Sequence, residues 1–158
     1  MATLTTTIKE ELTLNGIERG SINTLSITSV SEVFQRMATC PANQDTTIAS
    51  FKAAVNTSDG SLDLDDVKYI RVTNLDSTNS ITLSLQISAA ENGTADASTS
   101  ILLAAGRSFI MGSPHDGIAT DDDGTTVITD SNFNDLESLI VDPMTNSVTV
   151  KCSISTRS

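Results

Sequence analysis

Residues Val67–Ser88, VKYIRVTN-LDSTNS-ITLSLQIS, carry the clearest strand pattern of the chain, and the fold prediction is built on them. In the last segment of this stretch every odd-numbered residue is aliphatic, namely Ile81, Leu83, Leu85 and Ile87, and the residues between them are polar. Successive side chains of a strand point to opposite faces, so this pattern predicts a strand with one dry face and one wet face. We predict that the first segment forms a hairpin with it, with Ile70 and Val72 as the partners of the dry face.

A two-stranded ribbon is only marginally stable in water, so the rest of the chain must cover this apolar face. The chain has 158 residues, which is enough for one real core, and we predict a single domain over residues 1–158. It contains no Trp, one Tyr and four Phe, whereas Ser and Thr are abundant. Branched side chains pack well on a pleated surface, so this composition favours β-sheet.

The charge of the chain restricts the classes of partner. A formal net charge of −11 argues against binding to a nucleic-acid backbone, which requires clustered Lys and Arg. The first residues, Met1-Ala2-Thr3-Leu4, lack the basic flank and the apolar run of a signal peptide. No stretch approaches the ~20 apolar residues of a membrane span. We therefore expect synthesis in a cytoplasm, with neither nucleic acid nor membrane as partner.

The N-terminal segment is the predicted point of contact with a partner. Between Leu4 and Leu14 the apolar pattern predicts a strand, and Asn15-Gly16 supplies a turn signal after it. No proline interrupts this strand, and an unblunted strand edge attracts partners. We predict that residues 1–14 pair with a neighbouring molecule. The interface candidates are Leu4, Thr6, Ile8 and Leu12.

Further short strands are predicted at regular spacing along the chain. The segment Thr46–Val55 fits both a strand and a short helix face, and its β neighbourhood favours the strand. The other predicted strands are Ser21–Val30, Val33–Ala38, Ser100–Ala104, Arg107–Met111 and Thr125–Thr129, followed by a second hairpin from Leu136–Val141 and Ser147–Ser155. A tight turn or bulge is expected at Ala105-Gly106. We predict an all-β, single-domain β-sandwich, jelly-roll-like, with about eight to ten short antiparallel strands.

An acidic run near residue 122 is the candidate metal site. Compared with an EF-hand loop that has Gly124 at its sixth position, Asp121, Asp123 and Asp130 occupy the third, fifth and twelfth positions. The first ligand position is Ala119, and no helices flank the run. A solvated acidic loop is therefore favoured over an irregular Ca²⁺ site, which stays open as the alternative.

The sequence offers no catalytic constellation and no cofactor motif. His115 is the one histidine of the chain, and its surroundings, Ser113-Pro114-His115-Asp116, lack the setting of a nucleophile elbow. A thiol–imidazole pair with Cys40 requires a geometry that the sequence does not supply. Cys152 lies on the apolar face of its strand, which predicts a buried thiol, with a disulfide to Cys40 as the minor alternative. Asp65 and its acidic neighbours are predicted to place negative charge at the start of a strand, which discourages pairing at the edge of the sheet.

Several stretches together resemble a known group of proteins. They are Ser31–Arg36, Val67–Leu83, Leu103–Ile110 and Leu136–Ile154. In this order they resemble small virion structural proteins of tailed bacteriophages, especially phages of marine bacteria and cyanobacteria. The resemblance implies a non-enzymatic assembly component that is made in the host cytoplasm and built into the virion. It provides no functional residues to carry over, because such a protein acts through its surface.

The resemblance does not fix the place in the virion, and four functions are compared. A capsid decoration (cement) protein that forms homo-oligomers and contacts other virion proteins is the leading hypothesis. A tail or fibre-associated component is the next. A receptor- or carbohydrate-binding module usually needs aromatic platforms, for which a chain without Trp and with one Tyr is poor material. A small hydrolase lacks a recognisable catalytic set.

Overall fold

The computed structural model describes residues 2–53, 55, 60–87, 97–119 and 133–158. Within these ranges every regular element is a β-strand, and none is a helix long and apolar enough to cross a membrane. The strands are β1 (Ala2–Glu10), β2 (Thr13–Leu14), β3 (Ile17–Glu18), β4 (Ser21–Val30), β5 (Glu32–Cys40), β6 (Thr46–Lys52), β7 (Leu62–Asp63), β8 (Val67–Asn74), β9 (Ile81–Ile87), β10 (Ala97–Leu103), β11 (Ser108–Met111), β12 (Ile118–Ala119), β13 (Phe133–Asn134), β14 (Leu136–Asp142) and β15 (Val148–Thr156).

Two of the sheets form a sandwich with jelly-roll connectivity. One has the strand order β10-β9-β14-β6-β7 and the other the order β11-β8-β15-β5. The short β7 is parallel to β6. Among the other pairs, the first strand of the sandwich pairs with the last, and strands progressively nearer the middle of the sequence pair with one another. β5 pairs with β15, β6 with β14, β8 with β11, and β9 with β10, all antiparallel. The predicted all-β, jelly-roll-like sandwich is thereby confirmed.

The predicted hairpin of β8 and β9 is wrong, because the two strands lie in different sheets. β8 lies in the four-stranded sheet and β9 in the five-stranded sheet, and residues 75–80 cross from one to the other. Ile70 and Val72 still pack with the dry face of β9, because they belong to one buried cluster with Ile81, Leu83 and Leu85. They meet face to face across the sandwich instead of side by side in one sheet.

Buried polar groups fix this crossing. Asn74 is fully buried, and its Nδ2 donates to the carbonyl oxygens of Asn79 (2.9 Å) and Leu103 (3.2 Å). Its Oδ1 accepts a hydrogen bond from the amide of Asp76 (3.0 Å). The Oδ1 atom of Asp76 in turn accepts from the amides of Thr78 and Asn79, each at 2.7 Å. These bonds hold the chain in the turn that carries it between the sheets.

The second predicted hairpin, from Leu136–Val141 and Ser147–Ser155, is also wrong. β14 belongs to the five-stranded sheet and β15 to the four-stranded sheet, so this connection crosses the sandwich as well. Between β10 and β11 the predicted tight turn is present, with Gly106 at φ 69° and the amide of Arg107 donating to Ala104 O (3.1 Å). It too joins strands of different sheets. Two stacked apolar faces bury more surface than one exposed ribbon, which favours the crossings.

The remaining strand predictions have clear outcomes. The ambiguous Thr46–Val55 segment is a strand over Thr46–Lys52, and β5 ends at Cys40 before Pro41. The predicted alternation of β9 is confirmed, since its aliphatic residues are buried and its polar residues are half-buried. The predicted strand Thr125–Thr129 lies outside the described residues.

Candidate assembly interface

The N-terminal residues form a long β-hairpin, Ala2–Val30, which we call the arm. β1 pairs antiparallel with β4, and β2 pairs with β3 at the far end. The tip is the predicted Asn15-Gly16 turn, with φ values of 53° and 76°. Positive φ at both central residues is the type I′ geometry that suits the twist of a two-residue hairpin. At about 3.3 Å per residue, β1 alone spans about 30 Å.

The two faces of the arm differ in chemistry. Because Leu4 is opposite Ile27 and Thr6 is opposite Leu25, these residues share one face with Ile8. We call this the apolar face of the arm. The other face carries mainly Thr and Ser, with pairs such as Thr7 and Thr24, whose hydroxyl oxygens are 3.4 Å apart. The arm is thus an amphipathic ribbon of the kind that normally packs against another layer.

The apolar side chains of the arm are largely uncovered. Ile8 is 50% exposed and Leu25 is 51% exposed on the apolar face. Leu12, Leu14 and Ile17 near the tip and Ile22 on the opposite face are more exposed still. Toward the base the exposure decreases: Leu4, Thr6 and Ile27 are half-buried, and Val30 is buried. Clustered exposed aliphatic groups of this kind mark an interaction surface.

The base of the arm is fixed to the sandwich. β4 continues into β5 with only Ser31 between them, and the amide of Ser31 donates to Thr156 O at 3.0 Å. The hydroxyl of Ser31 accepts from the amide of Ser158 (3.1 Å). Ser29 has φ 61°, opposite a register shift between Ala2 and Leu4, which is a β-bulge. Since the pairing of β15 with β5 ends at Glu32, the arm continues beyond the end of its sheet.

Polar contacts organise the arm near its tip. The carboxylate of Glu18 accepts from the amide of Gly20 (2.9 Å) and the hydroxyl of Thr13 (3.3 Å). The backbone hydrogen bond from Gly20 holds the pKa of Glu18 below its ordinary value. Further along, the hydroxyl of Ser21 donates to Glu10 Oε2 at 2.6 Å. A surface hollow of about 430 Å³ lies beside these residues and Ile22.

The structure places the predicted interface residues together on this arm. Leu4, Thr6 and Ile8 lie on β1, and Leu12 lies just beyond it. The expected pairing of this strand with a neighbour is modified, because β1 already pairs with β4 of the same chain. Sequence reasoning missed the contribution of β4, although the alternation around Leu25 carried the signal. It also missed Val33 and Met37 on β5, which are 53% and 69% exposed.

The calcium candidates and the cysteines have different outcomes. Asp121, Asp123 and Asp130 lie outside the described residues, so that site stays a prediction. Cys40 and Cys152 are free and buried, which confirms the predicted thiol of Cys152 and excludes their disulfide in this structure. Burial raises the pKa of Cys152 to about 11 and also raises the pKa of Cys40.

The contacts of the His115 ring are with carboxylates. Nδ1 is 3.0 Å from Asp135 Oδ1 and 3.5 Å from Asp65 Oδ1, and Nε2 is 3.4 Å from Asp116 Oδ2. The thiol–imidazole pair with Cys40 is therefore not formed. Asp65, which was predicted to discourage edge pairing at the start of a strand, lies beside His115.

Comparison with known proteins gives distant structural matches. No family model and no curated protein matches the sequence. The chain is similar to one from a structure of Bacillus endospore appendages, described as a novel family of disulfide-linked pili, with 15% identity, a TM-score of 0.38, and coverage of 85% of this chain and 98% of that chain. It is also similar to a chain of infectious bursal disease virus Gx strain, with 12% identity, a TM-score of 0.25, and coverage of 95% of this chain and 37% of that chain. At these TM-scores the similarity carries no functional argument.

Proposed function

We propose that this protein is a non-enzymatic structural component of a phage virion, a capsid decoration (cement) protein that is held to its partners through the arm. The protein is made in the host cytoplasm and acts on the particle, in contact with other virion proteins and with further copies of itself. The resemblance of its sequence to virion structural proteins of tailed phages supports this setting. The amphipathic ribbon supports the mode of attachment.

The observation that carries the proposal is the uncovered apolar face of the arm. A two-stranded ribbon gains little stability from its own hydrogen bonds, so its apolar face normally requires a second layer. Full burial of an Ile or Leu side chain contributes about 1.5–3 kcal/mol, so a half-exposed one still has about 1 kcal/mol to gain. Ile8 and Leu25 are both about half exposed. A partner that covers the arm supplies the missing layer.

A tail or fibre-associated component is the second candidate, because the same arm suits attachment to a tail. Sedimentation with separated capsids and tails distinguishes the two. The receptor- or carbohydrate-binding alternative is less well supported. The one Tyr of the chain, Tyr69, is 4% exposed and so cannot act as an aromatic platform on the surface.

The experiment compares binding of full-length variants to particles that lack the protein. Ile8→Ser combined with Leu25→Ser removes two aliphatic groups from the apolar face of the arm. If each contributes about 1 kcal/mol to the contact, their combined loss weakens binding roughly 30-fold. Leu102→Ser is the matched control, because Leu102 is 67% exposed but lies on β10 of the sandwich.

We expect co-sedimentation with particles to be lost in the double variant and retained in the control. Thermal melts of the free proteins check that each variant folds. Undiminished binding by a folded double variant contradicts the role of the arm. Absence of the wild-type protein from purified particles contradicts the virion assignment.

A further inference from the structure

The chain brings its one imidazole together with carboxylates from distant parts of the sequence. Asp65 lies between β7 and β8, His115 and Asp116 lie between β11 and β12, and Asp135 lies between β13 and β14. Backbone hydrogen bonds join the last two connections, with Leu136 N donating to Pro114 O (3.0 Å) and Gly117 N donating to Asn134 O (3.2 Å). The cluster is thus built by the fold and is not a run of neighbouring acids.

The distances between these groups suit shared coordination of one ion. One nitrogen or oxygen atom from each of His115, Asp116 and Asp135 lies within 4.8 Å of the other two. The short contacts to Asp135 (3.0 Å) and Asp116 (3.4 Å) involve different nitrogens of the ring. Ligands about 2.1 Å from a Zn²⁺ ion lie about 3.4 Å apart in a tetrahedron and about 3.0 Å apart at right angles. The side chains must therefore move toward one another to enclose an ion.

The histidine also has the surroundings typical of a metal ligand. Nδ1 faces the carboxylates of Asp135 and Asp65, and Nε2 faces that of Asp116. If Nε2 binds the ion beside Asp116, Nδ1 keeps Asp65 as a carboxylate acceptor for its proton, which fixes the tautomer and the ring orientation. Asp135 is itself oriented, because its Oδ1 accepts from the amide of Asp116 at 2.9 Å.

The charge of the cluster favours a cation. Asp65, Asp116 and Asp135 bring three carboxylates to one ring, and each of them forms a contact with His115. A protonated imidazole offsets one charge at most. A divalent cation bound among them offsets the mutual repulsion of the carboxylates.

We propose that His115, Asp116 and Asp135 bind a divalent transition-metal ion of the Zn²⁺ type, with Asp65 as an outer carboxylate. Imidazole as a ligand selects Zn²⁺ and its neighbours over Ca²⁺ and Mg²⁺, which prefer oxygen ligands alone. The ion links the connections that carry its ligands and so stabilises this end of the sandwich. The side chains are partly exposed, which leaves the remaining coordination positions open to water.

The test uses the full chain after treatment with EDTA and removal of the chelator. Since His115 is the one histidine of the protein, its ring signals in NMR spectra are unambiguous. We expect Zn²⁺ to shift these signals with one-to-one saturation and to raise the Tm, while Ca²⁺ does neither. His115→Ala and Asp135→Asn should each weaken Zn²⁺ binding more than about tenfold in calorimetry. Asp45→Asn, an exposed carboxylate away from the cluster, is the matched control and should bind as the wild type does.

The proposal fails if Zn²⁺ leaves the His115 ring signals unchanged, whether or not the ion binds elsewhere. It also fails if the folded His115→Ala protein binds Zn²⁺ as tightly as the wild type. The NMR titration requires no variant, so it decides the question even if a substitution prevents folding. An ion that shifts the signals only without saturation is adventitious and contradicts the site.

Discussion

Replacing Asn74 with Ala tests the crossing between the sheets, on which the sandwich depends. Asn74 is 0% exposed, and its side chain donates to the carbonyls of Asn79 and Leu103 and accepts from the amide of Asp76. A hydrogen bond contributes about 0.5–1.5 kcal/mol, and a buried group left without its partner costs more than this. We therefore expect Asn74→Ala to lower the free energy of unfolding by about 2–4 kcal/mol.

Urea denaturation followed by circular dichroism measures this loss. Asn146→Ala is the matched control, because Asn146 is exposed and its side-chain amide donates to the neighbouring Thr145 hydroxyl (3.3 Å). The control should change stability by no more than about 0.5 kcal/mol. If Asn74→Ala were as harmless as the control, the side chain of Asn74 would not hold the crossing and this reasoning would be refuted.

Three further predictions concern the core, the thiols and an acid-sensitive turn. Leu83→Ala should destabilise by about 2–5 kcal/mol and Thr82→Ala by no more than about 0.5 kcal/mol in urea melts, and equal losses would contradict the one-sided burial of β9. Burial raises the pKa of Cys152 to about 11 and also raises the pKa of Cys40. Both thiols should therefore react slowly with a disulfide reagent at pH 8 in the folded protein and rapidly in urea. Fast reaction of the folded protein would show that the thiols are accessible. The amides of Asn79 and Thr78 hold the pKa of Asp76 below its ordinary value. The stability that ionised Asp76 contributes is present above about pH 4 and is lost as the pH falls through its lowered pKa. The Tm difference between the wild type and Asp76→Asn should therefore shrink on acidification. A constant difference would contradict this prediction.

The fold class could be predicted from the sequence because the alternation of β9 is a local property. Its period of two follows directly from strand geometry, and the structure buries its aliphatic residues as the pattern requires. The partner of a strand is not a local property. Residues 75–80 can join two strands side by side or carry the chain across the sandwich. The outcome depends on contacts with distant parts of the chain, such as the hydrogen bond from Asn74 to the carbonyl of Leu103.

The candidate interface, like the fold, could be predicted only in part from the sequence. The apolar pattern of Leu4, Thr6, Ile8 and Leu12 predicted an interface in this segment, and the structure places these residues on the arm. The pattern did not reveal that β4 completes the ribbon and doubles its apolar face, because strand pairing joins residues that are distant in sequence. The His115 cluster escaped sequence reasoning for the same reason, since its ligands come from separate connections.

Hydrogen–deuterium exchange of the protein, free and bound to virions, shows whether the arm attaches the protein to the particle. In the free protein the backbone amides of the arm should exchange fast, because a two-stranded ribbon with an uncovered face opens readily. On the particle the arm, Ala2–Val30, should become strongly protected, while the exchange of the sandwich core strands stays the same. Protection confined to the sandwich, with the arm exchanging as fast as in the free protein, would contradict the assignment of the arm as the element that attaches this protein to the particle.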